Sequence, residues 1–333
     1  MEEIRIWERE EYHYPLAGEF IPNLHTYLHG DGKTRPAMLV VPGGGYAMVS
    51  PTEGEIVAKR FYDEGYQAFV LTYTTNVLCL HPLETQPLAD ISRAVRLLRA
   101  RAEEFCLDPQ RLACCGFSAG GHLVGSLAVH WKEQAPAAGW EKGISNRPDG
   151  VILSYPVITS GEKAHRDSFV FLLGKNAPEE KLRWASLETQ VTADAPPAFL
   201  WHTITDGLVP VENSLLYMEA CRQAGVPCEL HLFQEGHHGM SLANKDWAAG
   251  RFGASSSYAM EQHWQTLKAL HRQCPERIPA PFAQAARSET LAEFAAAWEK
   301  GLHGDGAVRK AKADAGISQW PSLAAAWLNR IFA

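Results

Sequence analysis

Apolar residues along this chain fall into short runs that alternate with stretches of helical spacing. Ala37-Met38-Leu39-Val40-Val41 reads as a buried strand, ended by the turn signal Pro42-Gly43-Gly44-Gly45. A helix follows, with Ile56, Val57, Phe61 and Tyr62 on one face and Gly65 as its stop. The same logic predicts strands at Gln67–Tyr73, Leu112–Cys115, Val151–Tyr155, Ala198–His202 and Glu229–Phe233. It predicts helices over Leu88–Phe105, where Ile91, Val95, Leu98 and Ala102 recur, over Gly121–Val129, and over Val211–Ala224, closed by Gly225. Strands alternating with helices at this spacing imply an α/β fold: a mainly parallel central sheet with helices on both faces. Ligands bind such sheets at the carboxyl ends of the strands.

After the last strand the pattern becomes helical. Met260, Trp264, Leu267 and His271 share one helix face, and Leu291, Phe294, Ala295 and Trp298 share another. Ser288 is suited to cap the second helix and Gly301 to end it. The expected organisation is a core over residues 1–246, a helical C-terminal insertion over 247–319 and a closing helix over 320–333. The insertion leaves the chain beside a histidine-bearing loop, so it is expected to shape access to the site or to form a homo-oligomer contact, supplying no catalytic group. The plainer alternative makes its first helix the closing helix of the fold and the remainder an extension.

With 46% hydrophobic and 21% charged residues, the 333-residue chain has the composition of a globular protein with a substantial core. The net charge of −7, with no long run of either sign, argues against nucleic acid or an anionic membrane as partner. Met1-Glu2-Glu3-Ile4-Arg5 is acidic where a signal peptide is basic, and no apolar run approaches the roughly 20 residues of a membrane span. A cytoplasmic protein is expected. The seven irregularly spaced cysteines, several in apolar or helical surroundings, fit reduced buried thiols.

Candidate chemistry sits at three strand ends. Gly116-Phe117-Ser118-Ala119-Gly120-Gly121 joins a strand to an apolar helix, the context in which a strained serine presents its hydroxyl. A serine needs a base and a group that orients the base, in the chain order serine, acid, histidine. Asp206, in the turn Thr205-Asp206-Gly207, supplies the acid, and the loop Gly236-His237-His238-Gly239 offers two histidines, one of which is the base. Neighbouring metal ligands that would make the histidine pair a metal site are lacking, so neither metal nor cofactor is expected. Gly43-Gly44-Gly45-Tyr46, together with the N–H of Ala119, is placed to hold an oxyanion.

These stretches, with Ser168-Phe169, Leu172-Leu173-Gly174, Pro196-Pro197-Ala198-Phe199-Leu200 and Val209-Pro210-Val211-Glu212-Asn213-Ser214, make the chain resemble the acetyl esterase, or acetylxylan-esterase-like, branch of the α/β-hydrolase superfamily. The resemblance runs from about Pro36 to Leu242 and resumes from Trp320 to Phe332. It implies a serine esterase with nucleophile Ser118, acid Asp206 and base His238, and with oxyanion donors at Gly44, Gly45 and Ala119. It also implies a small ester substrate, acetylated xylo-oligosaccharides among the candidates. Tyr46 and Tyr155 are expected to narrow the pocket to short acyl groups. Thr205 stands where relatives commonly carry a further aspartate, and the insertion is longer than the family usually has. Aryl formamidases and acylaminoacyl peptidases share this machinery, and a silent binding module is the alternative from another class.

Overall fold

The structure is a computed structural model that describes residues 1–15, 18–253, 255–303 and 312–333. Its centre is an eight-stranded sheet in the order β1-β2-β4-β3-β5-β6-β7-β8. The strands are β1 (Glu3–Arg5), β2 (Asn23–Tyr27), β3 (Arg35–Val41), β4 (Gln67–Thr72), β5 (Leu107–Phe117), β6 (Gly150–Ser154), β7 (Ala198–Thr203) and β8 (Cys228–Phe233). Strands β3 to β8 pair in parallel, whereas β1 and β2 run antiparallel on one edge. The helices are α1 (Glu55–Asp63), α2 (Gln86–Ala100), α3 (Ala119–His130), α4 (Arg166–Leu173), α5 (Glu179–Trp184), α6 (Glu212–Ala224), α7 (Lys245–Ala248), α8 (Ser255–Gln273), α9 (Leu291–His303) and α10 (Trp320–Ile331).

The unbroken apolar runs are explained by burial on both faces. Leu39, Val41, Cys114 and Leu153 pack with Ile91, Val95 and Leu123 of α2 and α3. Their neighbours Met38, Val40, Cys115 and Ile152 pack with Val57, Phe61 and Trp320 of α1 and α10. Adjacent side chains on a strand point to opposite faces, so no position in these strands is left for a solvent-facing residue. The register pairs Val41 with Gly116, Gly116 with Leu153, Ser154 with Trp201, and Thr203 with Phe233. Five strands therefore end side by side, and their following loops meet along one edge.

Several expectations need correction. The helix predicted over Leu88–Phe105 ends at Ala100, because the chain turns through Cys106 at φ +49° and strand β5 begins five residues before the expected Leu112. Strands β1 and β2 carry no apolar signature: β2 buries Asn23, His25 and Thr26. Cys79 is exposed in a turn at φ +54°, unlike buried Cys114, Cys115 and Cys221, although all seven thiols are free.

Helices α8 and α9 form a third core, in which Met260, Leu267, Phe294 and Trp298 meet Val77, Leu78 and Leu80 from the loop after β4. Trp264, Leu291 and Ala295 pack on its margin. The cap of α9 is Thr290, whose Oγ accepts from the Glu293 N–H at 3.2 Å, while Ser288 donates back to Gln284. The helix also runs through Gly301 to His303 instead of stopping there. Near the start of α8, Tyr258 stacks on His25, and Gln262 donates to the Tyr73 carbonyl at the end of β4. Helix α10 lies against the sheet, with Trp320 stacked on Trp201. No helix among the described residues is long and apolar enough to cross a membrane.

Burial pushes the imidazoles of His25, His122 and His263 down to about 4. The unfolded chain therefore binds these protons first as pH falls, so their contribution is complete above about 6.5 and declines towards pH 4. Each group should remove roughly 1.4 kcal/mol of stability per pH unit in that window. Urea midpoints measured between pH 7.5 and 4.5 should fall accordingly, and a flat profile would contradict this.

Candidate active site

Ser118 joins β5 to α3 at φ +52° and ψ −119°, a conformation that the surrounding packing has to impose. The glycines on either side make this possible. A Cβ at Gly116 would lie 2.2 Å from the Gly120 carbonyl oxygen, and a Cβ at Gly120 would lie 2.2 Å from that of Val41. Helix and strands thus approach to backbone contact. The position a Gly43 Cβ would take is 2.9 Å from the Ser118 Cβ, so the loop after β3 passes directly beside the serine.

That loop is shaped by its own backbone. Gly44 and Gly45 adopt φ +120° and +64°, and the Gly44 carbonyl accepts from Ala47 and Met48. A side chain at Gly44 would meet the Met48 carbonyl oxygen at 2.3 Å. Ala119, the first residue of α3, is fully buried beneath Ser118.

The structure brings the predicted acid and base to the serine. His238 Nε2 lies 2.8 Å from Ser118 Oγ, and its Nδ1 lies 2.7 Å from Asp206 Oδ2. Asp206 Oδ1 accepts the N–H groups of Leu208 and Val209 at 2.9 and 3.0 Å. Burial would raise the Asp206 carboxyl, but hydrogen bonds from His202 and His238 and the backbone outweigh it, holding the group well below the usual carboxylate range. His237 is exposed, turns outward and stacks near Trp247. Thr205 ties the acid turn to the histidine loop, since its hydroxyl accepts from the Gly236 N–H at 2.9 Å and donates to the Gly236 carbonyl at 3.0 Å.

Tyr46 and Tyr155 are placed differently from the expectation. Each is only 1% exposed, so neither forms a pocket wall. The Tyr46 hydroxyl donates to His122 Nδ1 at 2.7 Å, since the other imidazole nitrogen faces the Ala185 carbonyl and carries the proton there. Tyr155 packs edge-on against the His238 ring at 5.0 Å and donates its hydroxyl to Glu53 at 2.6 Å. Both residues support the site from below.

Four residues around the site have roles that the sequence reading missed. His202 holds Asp206 from behind at 3.3 Å. His165 and Ser168 hydrogen-bond to each other at 2.9 Å, and Ser168 Oγ lies 4.0 Å from the position of a Gly45 Cβ, so the segment after β6 passes over the glycine loop. Burial lowers the His165 imidazole, and the charge His238 can carry adds to this. Glu53, buried behind the loop, accepts the Gly43 N–H at 2.8 Å. Among the described residues no group of three histidine, cysteine or carboxylate side chains is arranged to hold a metal ion.

A family model described as BD-FAE matches residues 24–220. Endo-1,4-beta-xylanase B of Butyrivibrio fibrisolvens is 48% identical over 257 residues, covering 77% of this chain and 40% of that protein. The acetylxylan esterase of Xylanibacter ruminicola is 32% identical over 212 residues, 62% of this chain and 41% of that protein. The chain thus spans about two fifths of the length of these curated relatives. The crystal structure of an acetyl ester-xyloside bifunctional hydrolase from Caldicellulosiruptor lactoaceticus matches with a TM-score of 0.68 at 36% identity, covering 76% of this chain and 97% of that one. MGS-M1, an α/β-hydrolase enzyme from a deep-sea metagenome library, matches with a TM-score of 0.55 at 30% identity, covering 81% and 97%. The fold is that of the α/β-hydrolases.

Proposed function

We propose, from the premise that the chain belongs to the BD-FAE family, that it is a serine carboxylic ester hydrolase acting through an acyl-enzyme. The observation that carries this reading is the continuous chain from Ser118 Oγ through His238 to Asp206, at 2.8 and 2.7 Å. Ser118 attacks the ester carbonyl, and His238 Nε2 takes its proton and returns it to the departing alkoxide. Asp206 keeps the proton on Nδ1 and balances the imidazolium that forms. Water then attacks the acyl-enzyme with the same base. The backbone N–H groups of Gly44, Gly45 and Ala119 receive the oxyanion, an assignment supported by the close approach of the glycine loop to Ser118.

We assign the chemistry to an ester and not to a glycosidic bond. Glycoside cleavage commonly uses two carboxyl groups flanking the scissile bond. The two at this site, Asp206 and Glu53, are buried, and each uses both oxygens to accept hydrogen bonds. The similarity to a xylanase, an acetylxylan esterase and an acetyl ester-xyloside hydrolase favours acetyl groups on xylo-oligosaccharides as the substrate. Seven free cysteines support a reducing, cytoplasmic setting.

Initial rates on a panel of acyl esters test this reading. Acetyl esters should be cleaved roughly tenfold or more faster than octanoyl esters, and acetylated xylo-oligosaccharides faster than formyl anilides or acyl peptides. Preference for octanoyl esters or for amides would contradict it. We further propose that the described part of residues 247–319 forms an insertion that shapes substrate access, residues 254 and 304–311 lying outside the described residues, because α8 lies against the Pro51–Glu53 turn and the end of β4. Trp298→Ala, which hollows the contact between α8 and α9, should alter the ratio of oligosaccharide to aryl acetate turnover. An unchanged ratio would remove that role.

A further inference from the structure

Glu53 is a buried carboxylate with only 3% exposure that the proposed reaction does not use. Its two oxygens take donors from different parts of the site. Oε2 accepts the N–H of Gly43, the first glycine of the loop after β3, at 2.8 Å. Oε1 accepts the Tyr155 hydroxyl at 2.6 Å. The Tyr155 oxygen in turn accepts the N–H of Ser241, three residues beyond His238, at 3.0 Å. Ser241 is itself held at φ +46°, and its hydroxyl donates to the carbonyl of Thr52, beside Glu53, at 2.6 Å. One carboxylate therefore connects the glycine loop, the residue that follows β6 and the histidine loop.

A carboxyl group this deeply buried is costly to ionise unless donors compensate. Burial raises the Glu53 carboxyl, while the bonds from Tyr155 and Gly43, and the charge His238 can carry, act in the opposite direction. Burial is the larger influence, so the carboxyl sits above its ordinary value.

We infer that Glu53 is a positioning residue for ester hydrolysis: its carboxyl group fixes the oxyanion-binding glycine loop and, through Tyr155, the His238 loop in one register. The inference rests on the ester-hydrolase reading. Glu53 touches neither substrate nor the reacting atoms. It acts through the Gly43 N–H, which sets where the next two backbone donors point, and through the Tyr155 ring, which packs against His238. The clamp stiffens the site in the state it needs for the transition state, and substrate binding does not depend on it.

The test compares wild type, Glu53→Gln and Tyr155→Phe on p-nitrophenyl acetate, with active sites counted by a fluorophosphonate so that kcat is expressed per labelled serine. Glu53→Gln keeps the shape but loses the charge and one acceptor. Its kcat should fall about 10²-fold, the loss expected when a reacting geometry is slightly misplaced, with KM within about threefold. Tyr155→Phe cuts only the link to the histidine loop and should fall less, by about tenfold, with KM again unchanged. Affinity for a boronic acid that mimics the tetrahedral intermediate should weaken in parallel with kcat. A Glu53→Gln protein with full kcat per labelled site, or with a loss confined to KM, would overturn the inference. Should Glu53→Gln not fold, full kcat in Tyr155→Phe would overturn it equally. Failure of the wild-type enzyme to label at Ser118 defeats the ester-hydrolase reading itself, whereas labelling with an indifferent Glu53 defeats only this inference.

Discussion

Replacing Ser118 with alanine should reduce ester turnover by about 10⁴-fold or more, because members of a nucleophile–base–acid unit act together and the remaining donors supply only the residual catalysis. The effect should be chemical and not structural. Alanine keeps the Cβ that the turn at φ +52° already accommodates, and the constraints imposed by Gly116 and Gly120 are unchanged. The hydroxyl contributes the one bond to His238 at 2.8 Å, so the melting temperature should shift by only a few degrees. KM for a small aryl acetate should change little, since the oxygen serves the reaction and not recognition. Steady-state kinetics with a calorimetric scan check both parts. A variant that keeps more than a tenth of the activity would remove Ser118 from its assigned role.

The second large effect separates the two histidines and the acid. His238→Ala should lose about as much as Ser118→Ala, while His237→Ala, altering an exposed ring that packs beside Trp247, should stay within about threefold of wild type. Asp206→Asn is the more informative change. Leu208 and Val209 donate to Oδ1, so an asparagine would keep its carbonyl oxygen there and turn its NH₂ towards His238. His238 Nδ1 would then have to accept, placing the ring proton on Nε2, where it blocks the proton transfer from Ser118. A loss of about 10⁴-fold with the fold retained is expected. Activity that survives in His238→Ala but vanishes in His237→Ala would show that the histidine register is wrong.

Much of this architecture was legible because the chemistry lies at the ends of strands buried on both faces. Runs such as Ala37–Val41 and Val151–Ser154 admit almost no polar residue, so their boundaries and the loops after them stand out. Those loops hold Gly44, Ser118, Asp206 and His238. Strand β2 was hidden for the opposite reason: its buried positions include Asn23, His25 and Thr26, which break any apolar run, and its pairing with β4 is not visible in the residue pattern. Thr290 and Ser288 are equally good caps by composition, and only the placement of Glu293 decides between them.

The supports of the site were less legible than its reacting groups. Tyr46 and Tyr155 sit next to the right loops in sequence, yet their rings turn into the core, a direction set by positive φ values of 65° and 36° that nothing in the residue type announces. Glu53 ends a proline-led turn just before helix α1, where an acidic residue ordinarily serves a helix start. Its bond to Gly43 exists only because the parallel sheet folds that turn back behind the glycine loop. Likewise, His202 reads as one more strand residue until the Asp206 turn curls over it.

The central claim is that Ser118 carries the acyl group, and the most direct measurement is mass spectrometric mapping of the protein after reaction with a fluorophosphonate probe. One adduct per chain is expected on the peptide containing Gly116 to Gly121, located at Ser118 and absent from the Ser118→Ala and His238→Ala proteins. An adduct on another serine, or equal labelling of the Ser118→Ala protein, would contradict it.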